Sequence, residues 1–216
     1  GKDGLAGYPL IDVYLTGKEL KLAAEVDASV SDFMTTARLY CSGLNFTFNP
    51  HRMILNKVTD CYLTREDGER IEIQDDQLYR VVTDLYTGQM LGSVMEMSYG
   101  LLKIEPKDKD GNPIENLEDQ AIMEGDKELK AWDAIARYMK SFDDTDDNGI
   151  SNVPEYYETT HGRKVVDESR NVIDLVKNPN KFSVMIVGIV LVLILIIILL
   201  IVLIRKLIKK RRRKKK

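Results

Sequence analysis

Histidine and cysteine are nearly absent from this chain, with two of each in 216 residues: His51 and His161, Cys41 and Cys61. Two isolated histidines without acidic or amide neighbours at ligand spacing exclude a histidine-rich dinuclear metal centre, and each reads as a surface loop residue. Two cysteines give no zinc spacing, and they leave one disulfide and two free thiols equally open. No glycine-rich phosphate cradle and no strand-turn-helix nucleophile motif occurs either.

Acidic residues are missing from the C-terminal end. Residues 1–181 hold all 34 Asp and Glu against 21 of the 31 Lys and Arg, and the other ten bases lie between Arg205 and Lys216. The formal charge of −3 therefore averages a domain near −13 with a tail of +10. Charge of either sign is absent from "FSVMIVGIVLVLILIIILLIVLI", Phe182 to Ile204. Such a run, at about 1.5 Å per residue, crosses a hydrocarbon core of about 30 Å. It predicts a membrane span, because core helices of this length carry a polar face and secretory signals sit at the N-terminus.

The excess of Lys and Arg after the span, in "RKLIKKRRRKKK", predicts a single-pass protein of the cell membrane, its C-terminus cytoplasmic and its N-terminal domain extracytoplasmic. Beside a bilayer the basic tail points to anionic lipid head groups rather than nucleic acid. An exported domain needs a leader, and the chain opens on Gly1 without one. The expectation is a piece or a mature form of something longer.

What is present reads as one α+β domain. "YPLIDVYLTG" is an apolar strand suited to cover on both faces, and Thr16 and Glu19 have the spacing of a capping box at the start of a helix carrying Leu20, Ala23, Ala24 and Val30 on one side. "GLNFTFNP" alternates, with Leu44, Phe46 and Phe48 on one face. "NKVTDCYLTREDGERIEI" is a hairpin around Asp67-Gly68, and "LYRVVTDLYTG" is a strand that ends at Gly88. After the polar loop "PKDKDGNPI", Leu129, Trp132, Ile135, Ala136, Met139 and Phe142 recur at helical spacing over 126–142, a stripe expected to be core. The expected boundaries are a domain over 1–167, a juxtamembrane linker over 168–181, the span over 182–204 and the tail over 205–216.

In "DDTDDNGISNVPE", Asp144, Asp146, Asn148, Gly149 and Glu155 match the D-x-[DN]-x-[DN]-G-x5-E spacing of a calcium loop. Ser151 stands where an apolar anchor is usual, and Pro154 discourages an exiting helix. Both Ca²⁺ bound by Asp144, Asp146, Asn148 and Glu155 and an acidic, solvated connector fit these residues.

The ordered set "YPLIDVYLTGKELKLAAEVD", "YCSGLNFTFNP", "DGERIEIQDDQLYRVVTDLY" and "HGRKV" resembles the C-terminal domain of the 5′-nucleotidase family, in its membrane-anchored form from Gram-positive bacteria. Tyr8 to Val165 cover that pattern in order. The resemblance implies a preceding metallophosphoesterase domain, outside these residues, that carries the divalent metals and performs hydrolysis. It implies that the present domain recognises a nucleotide or related phosphoester, in relatives by two aromatic rings that sandwich the base. The first of these maps near "ARLYCSG", at Arg38 or Leu39 with Tyr40 close by. The second falls where "YTGQMLGSVMEMSYG" replaces the family's turn, leaving Tyr86 and Tyr99 as the available rings. A surface binding or adhesion ectodomain that keeps the fold is the alternative.

Overall fold

The computed structural model describes residues 1–35, 38–98 and 100–214. Strand β1 (Leu10–Thr16) runs directly into helix α1 (Gly17–Val30). Thr16 Oγ1 accepts from the Glu19 backbone N–H at 3.3 Å and Glu19 Oε2 accepts from the Thr16 N–H at 2.8 Å, the expected capping box. Gly17 is needed at this junction: a Cβ there would stand 2.1 Å from the Gln74 carbonyl oxygen.

Strands β2 (Leu44–Phe48), β3 (Val58–Thr64), β4 (Arg70–Glu72) and β5 (Leu78–Asp84) follow, then helix α2 (Leu85–Met97). Beyond a 3₁₀ turn (Leu117–Gln120) come β6 (Met123–Glu124), β7 (Lys127–Glu128), helix α3 (Ala131–Lys140) and β8 (Lys164–Val166). Short helix α4 (Val172–Val176) precedes the long helix α5 (Lys181–Lys214). One sheet has the order β4-β3-β2-β8, antiparallel except for the parallel pair β2 and β8; β1 and β5 form an antiparallel ribbon, as β6 and β7 do.

Helix α1 fills the space between sheet and ribbon. Its Ala24 and Ala28 pack on Leu44 and Phe46 of β2, while Leu20 and Ala23 pack on Leu15 of β1 and on Ile104. Burying an apolar side chain of this kind contributes about 2 kcal/mol. Strand β1 alternates, with Ile11, Val13 and Leu15 buried and the other face half-covered. The expected inward face of β2 is observed, with Leu44 and Phe46 buried and Phe48 half-buried.

Three buried carboxylates on α1 tie distant loops to it. Glu25 accepts from the N–H groups of Lys57 and Val58. Asp27 accepts from the Leu39 N–H and from Lys164 Nζ. Glu19 accepts from Lys107 Nζ at 2.6 Å and the Glu105 N–H at 3.0 Å. Burial pushes the Glu19 carboxyl up, but the hydrogen bonds from Lys107, Thr16 and Glu105 outweigh it and hold the group below its ordinary value.

The start of α5 is docked into the domain. Asn180 Oδ1 caps it by accepting from the N–H groups of Phe182 and Ser183. The Phe182 ring is buried against Val26 and Leu102. Buried Arg52 donates to the carbonyls of Asn56, Asp174 and Lys177 and so clamps α4 and the residues after it. The linker expected over 168–181 is thus hydrogen-bonded to the domain along part of its length.

Two expectations are corrected. The strand expected to end at Gly88 stops at Asp84, whose carboxylate accepts from the Thr87 N–H at 2.9 Å and starts α2. Helix α3 forms, shorter than expected, but its stripe is not core: Trp132, Ile135 and Met139 are exposed, and no residue of the helix is fully buried. Amphipathic spacing names the apolar face of a helix, not what covers it.

Candidate functional site

The first turn of α2 and the entry to β1 are brought together by antiparallel pairing. Leu10 lies opposite Asp84, and the Leu85 N–H donates to the Pro9 carbonyl at 2.9 Å. Extending the register by two residues sets Tyr8 across from Tyr86, and the two rings sit 5.5 Å apart at 44°. Both rings are about half exposed. Tyr8 also lines a shallow cavity of about 600 Å³ with Lys2, Gly7, Pro9, Leu85 and Glu128.

This corner is fixed from below. Gly7 has φ +107°, and a Cβ there would lie 2.8 Å from the Trp132 ring, whose Nε1 donates to the Ala6 carbonyl at 3.2 Å. Lys130 Nζ is buried and salt-bridged to Asp3 at 3.0 Å and to Glu128. Burial pushes the Lys130 ammonium down, and its hydrogen bonds to Glu128 and Asp3 more than reverse that, raising it. Burial likewise pushes Asp3 up, but the Leu5 N–H, Lys130 and the Glu128 N–H bring it down to about 2. The buried charges are paired, so they position the cavity wall and are not free to bind ligand.

Of the residues expected at a base clamp, only Tyr86 stands near this cavity, through its ring contact with Tyr8, which lines it. Arg38 is exposed, and Tyr40 is 87% exposed with Lys164 Nζ 5.3 Å from its ring centre. Tyr40 and Tyr86 thus have different neighbours, and among the described residues their rings do not pair. Tyr99 lies outside the described residues. Tyr8 was missed from the sequence, although pairing the strands after Tyr8 and before Tyr86 would have placed it.

Residues 6–97 match the family model "5′-nucleotidase, C-terminal domain". The match covers 92 of the 216 residues. No curated protein matches the chain. Among solved structures, the 5′-nucleotidase precursor from Thermus thermophilus is similar at 19% identity and TM-score 0.48, covering 76% of this chain and 26% of its own. The Haemophilus influenzae NAD nucleotidase (NadN) is similar at 20% identity and TM-score 0.33, covering 47% of this chain and 19% of its own. The chain therefore spans about a quarter or less of the length of these structures.

The 5′-nucleotidase C-terminal domain signature holds β1 to α2, with Tyr8 and Tyr86 inside it and the acidic loop outside. In that loop Asp144 accepts from the N–H groups of Asn148 at 3.2 Å and Gly149 at 2.7 Å, and Asn148 Nδ2 donates to Asp146 at 3.0 Å. Gly149 takes φ +85° and Asp147 φ +55°, so the chain turns sharply. Glu155 opens a 3₁₀ turn, Glu155–Glu158. Among the described residues no three His, Cys, Asp or Glu side chains converge as metal ligands. His161 stacks on Tyr156 with ring centres 3.9 Å apart, and His51 Nε2 accepts from Arg170 at 3.4 Å. Cys41 and Cys61 are free thiols, and burial pushes both up, Cys61 to about 12.

Proposed function

We propose that this chain is the substrate-recognition part and membrane anchor of a 5′-nucleotidase-type phosphohydrolase whose catalytic metals sit in a separate domain. The observation that carries the reading is the family match over 6–97 with a pair of neighbouring tyrosine rings inside it, of which Tyr8 lines a cavity. Domains of this family bind substrate alongside a catalytic domain. The cavity's side-chain charge favours the base end of a nucleotide: Glu118 and Glu128 line it, and its one cationic side chain, Lys2, is already paired with Asp119. A phosphate would meet carboxylates there, whereas a base offers a π face to Tyr8 and edge donors to Glu118. Stacking of this kind is worth about 1 to 3 kcal/mol per base. Helix α5 supplies the anchor, with an apolar stretch over Lys181–Lys209 long enough to cross a bilayer. The basic tail sets its orientation, with the domain outside the cytoplasm, and holds anionic lipid at the inner face.

Cleaving a phosphate monoester needs metal ions to neutralise the phosphoryl oxygens and activate water. The chain alone should bind nucleoside monophosphates without hydrolysing them in Mg²⁺, Mn²⁺ or Zn²⁺. Calorimetry on the full chain in detergent tests the reading with AMP against ribose 5-phosphate. The expected result is AMP binding that weakens about tenfold in Tyr86→Ala or Tyr8→Ala, since 1.4 kcal/mol is a factor of ten. Equal affinity for the base-free ester, or no loss in either variant, would sink it.

A further inference from the structure

Five loops and helix ends far apart in sequence meet where α5 begins. The C-terminal end of α1 is there, with Val26 and Val30 in the cluster around Phe182. The 49–56 loop joins it through Leu55, whose carbonyl accepts from Asn180 Nδ2. The segment after α2 contributes Leu102, α4 arrives through the Arg52 clamp, and Asn180 caps the helix itself. Strand β3 leaves this end, where Glu25 holds the Val58 N–H, and carries the turn at 65–69 away by about 20 Å over its seven residues.

These segments expose apolar side chains in excess of what solvated loops require. Phe33 is 82% exposed, Val172 71%, Ile173 70% and Val176 64%; Ile54 and Leu101 are also exposed. All six lie within a few residues of groups that touch Phe182, Asn180 or Arg52. Lys177 and Lys181 stand among them, Lys181 with its ammonium 4.7 Å from the Phe182 ring centre.

We propose that this end of the domain is a second membrane-contacting surface: Phe33, Ile54, Leu101, Val172, Ile173 and Val176 rest in the interfacial layer of the leaflet that α5 enters. The inference rests on reading α5 as a membrane span. The occupant of the apolar surface follows from continuity. Helix α5 is held rigidly to the domain through Phe182, Asn180 and Arg52, so a bilayer around the helix meets these side chains first. Their chemistry suits that layer, where apolar groups bury about 5 to 10 Å deep while Lys177 and Lys181 keep their charges among the head groups. Asp174, the acid on α4, is already paired with Lys177. Exposed Asp32 beside Phe33 is accommodated in the polar layer.

The test places one NBD-labelled cysteine at a time in the full chain, with Cys41→Ala and Cys61→Ala, in bilayer nanodiscs of phosphatidylcholine and phosphatidylglycerol. Sites are Ile173→Cys and Phe33→Cys on the proposed surface, Leu193→Cys in α5 and Glu66→Cys on the distant turn. Lipid carrying a shallow doxyl quencher should lower the Ile173 and Phe33 signals about twofold more than the Glu66 signal, as groups at interfacial depth require. Leu193 is read with a deep quencher. Quenching at Leu193 together with Ile173 and Phe33 behaving like Glu66 overturns the proposal while the span stands. No quenching at Leu193 removes the span, and the proposal with it.

Discussion

At the scale of single residues, Glu19 shows how a local signal acquires a distant partner. Thr16 and Glu19 announced a capping box, but the same carboxylate also holds Lys107, 88 residues along. Glu19 is held below its ordinary value, so the folded chain binds fewer protons there than the unfolded chain. Its contribution is present above the ordinary carboxylate range and is lost as pH falls through the lower folded value. Glu19→Gln should cost about 3 kcal/mol at pH 7, the low end for breaking a buried pair, with the loss shrinking toward pH 3. Urea melts at both pH values check this; an equal loss at both would assign the effect to shape rather than charge. The capping half of the contact was legible because it lies within one helical turn. The Lys107 half was not, because nothing local says which loop will return. Tyr8 and Tyr86 divide in the same way: Tyr86 was legible as an available ring, and Tyr8 became its neighbour only through strand register.

At the scale of elements, strands β1 to β5, α1 and the Asp67-Gly68 hairpin were legible because alternation, caps and turn residues agreed, whereas β6, β7 and β8 are too short to show a period, and β7 falls inside the expected helix over 126–142. Helix α2 was not. Gly88 read as the end of the β5 strand, while the cap that decides the matter is one aspartate, Asp84. Asp84→Ala should destabilise the fold by about 1 kcal/mol and loosen the α2 turn that carries Tyr86. Hydrogen exchange at the Thr87 amide reports it, and an unchanged rate would mean the cap is dispensable. The acidic loop is legible in sequence as a turn and is observed as one, with Asp144 occupied by backbone N–H groups. If Ca²⁺ binds there to the folded state alone, the chain gains about 2.7 kcal/mol at a hundredfold excess over the dissociation constant. Thermal melts with calcium and with chelator measure this, and matching midpoints over millimolar Ca²⁺ would leave only a solvated connector.

At the scale of the whole molecule, the orientation proposed from the charge asymmetry about α5 has the domain outside and the tail inside. Protease added to intact cells should remove the domain and spare an epitope placed after Lys216, and loss of that epitope would reverse the orientation. The architecture also orders events in time. Strand β2 gains its parallel neighbour only when residues 164–166 exist, and Phe182 fills its site against Val26 later still. A ribosome adding about 5–20 residues per second leaves one edge of the central sheet bare for on the order of ten seconds after β2 is made. During that interval the nascent chain presents an unpaired strand edge, the kind of surface that recruits chaperones or joins to another copy. The last segment needed to finish the domain is the one that opens the long apolar helix, so on the proposed reading of α5 as a span, maturation of the fold and insertion of the helix are a single closing step.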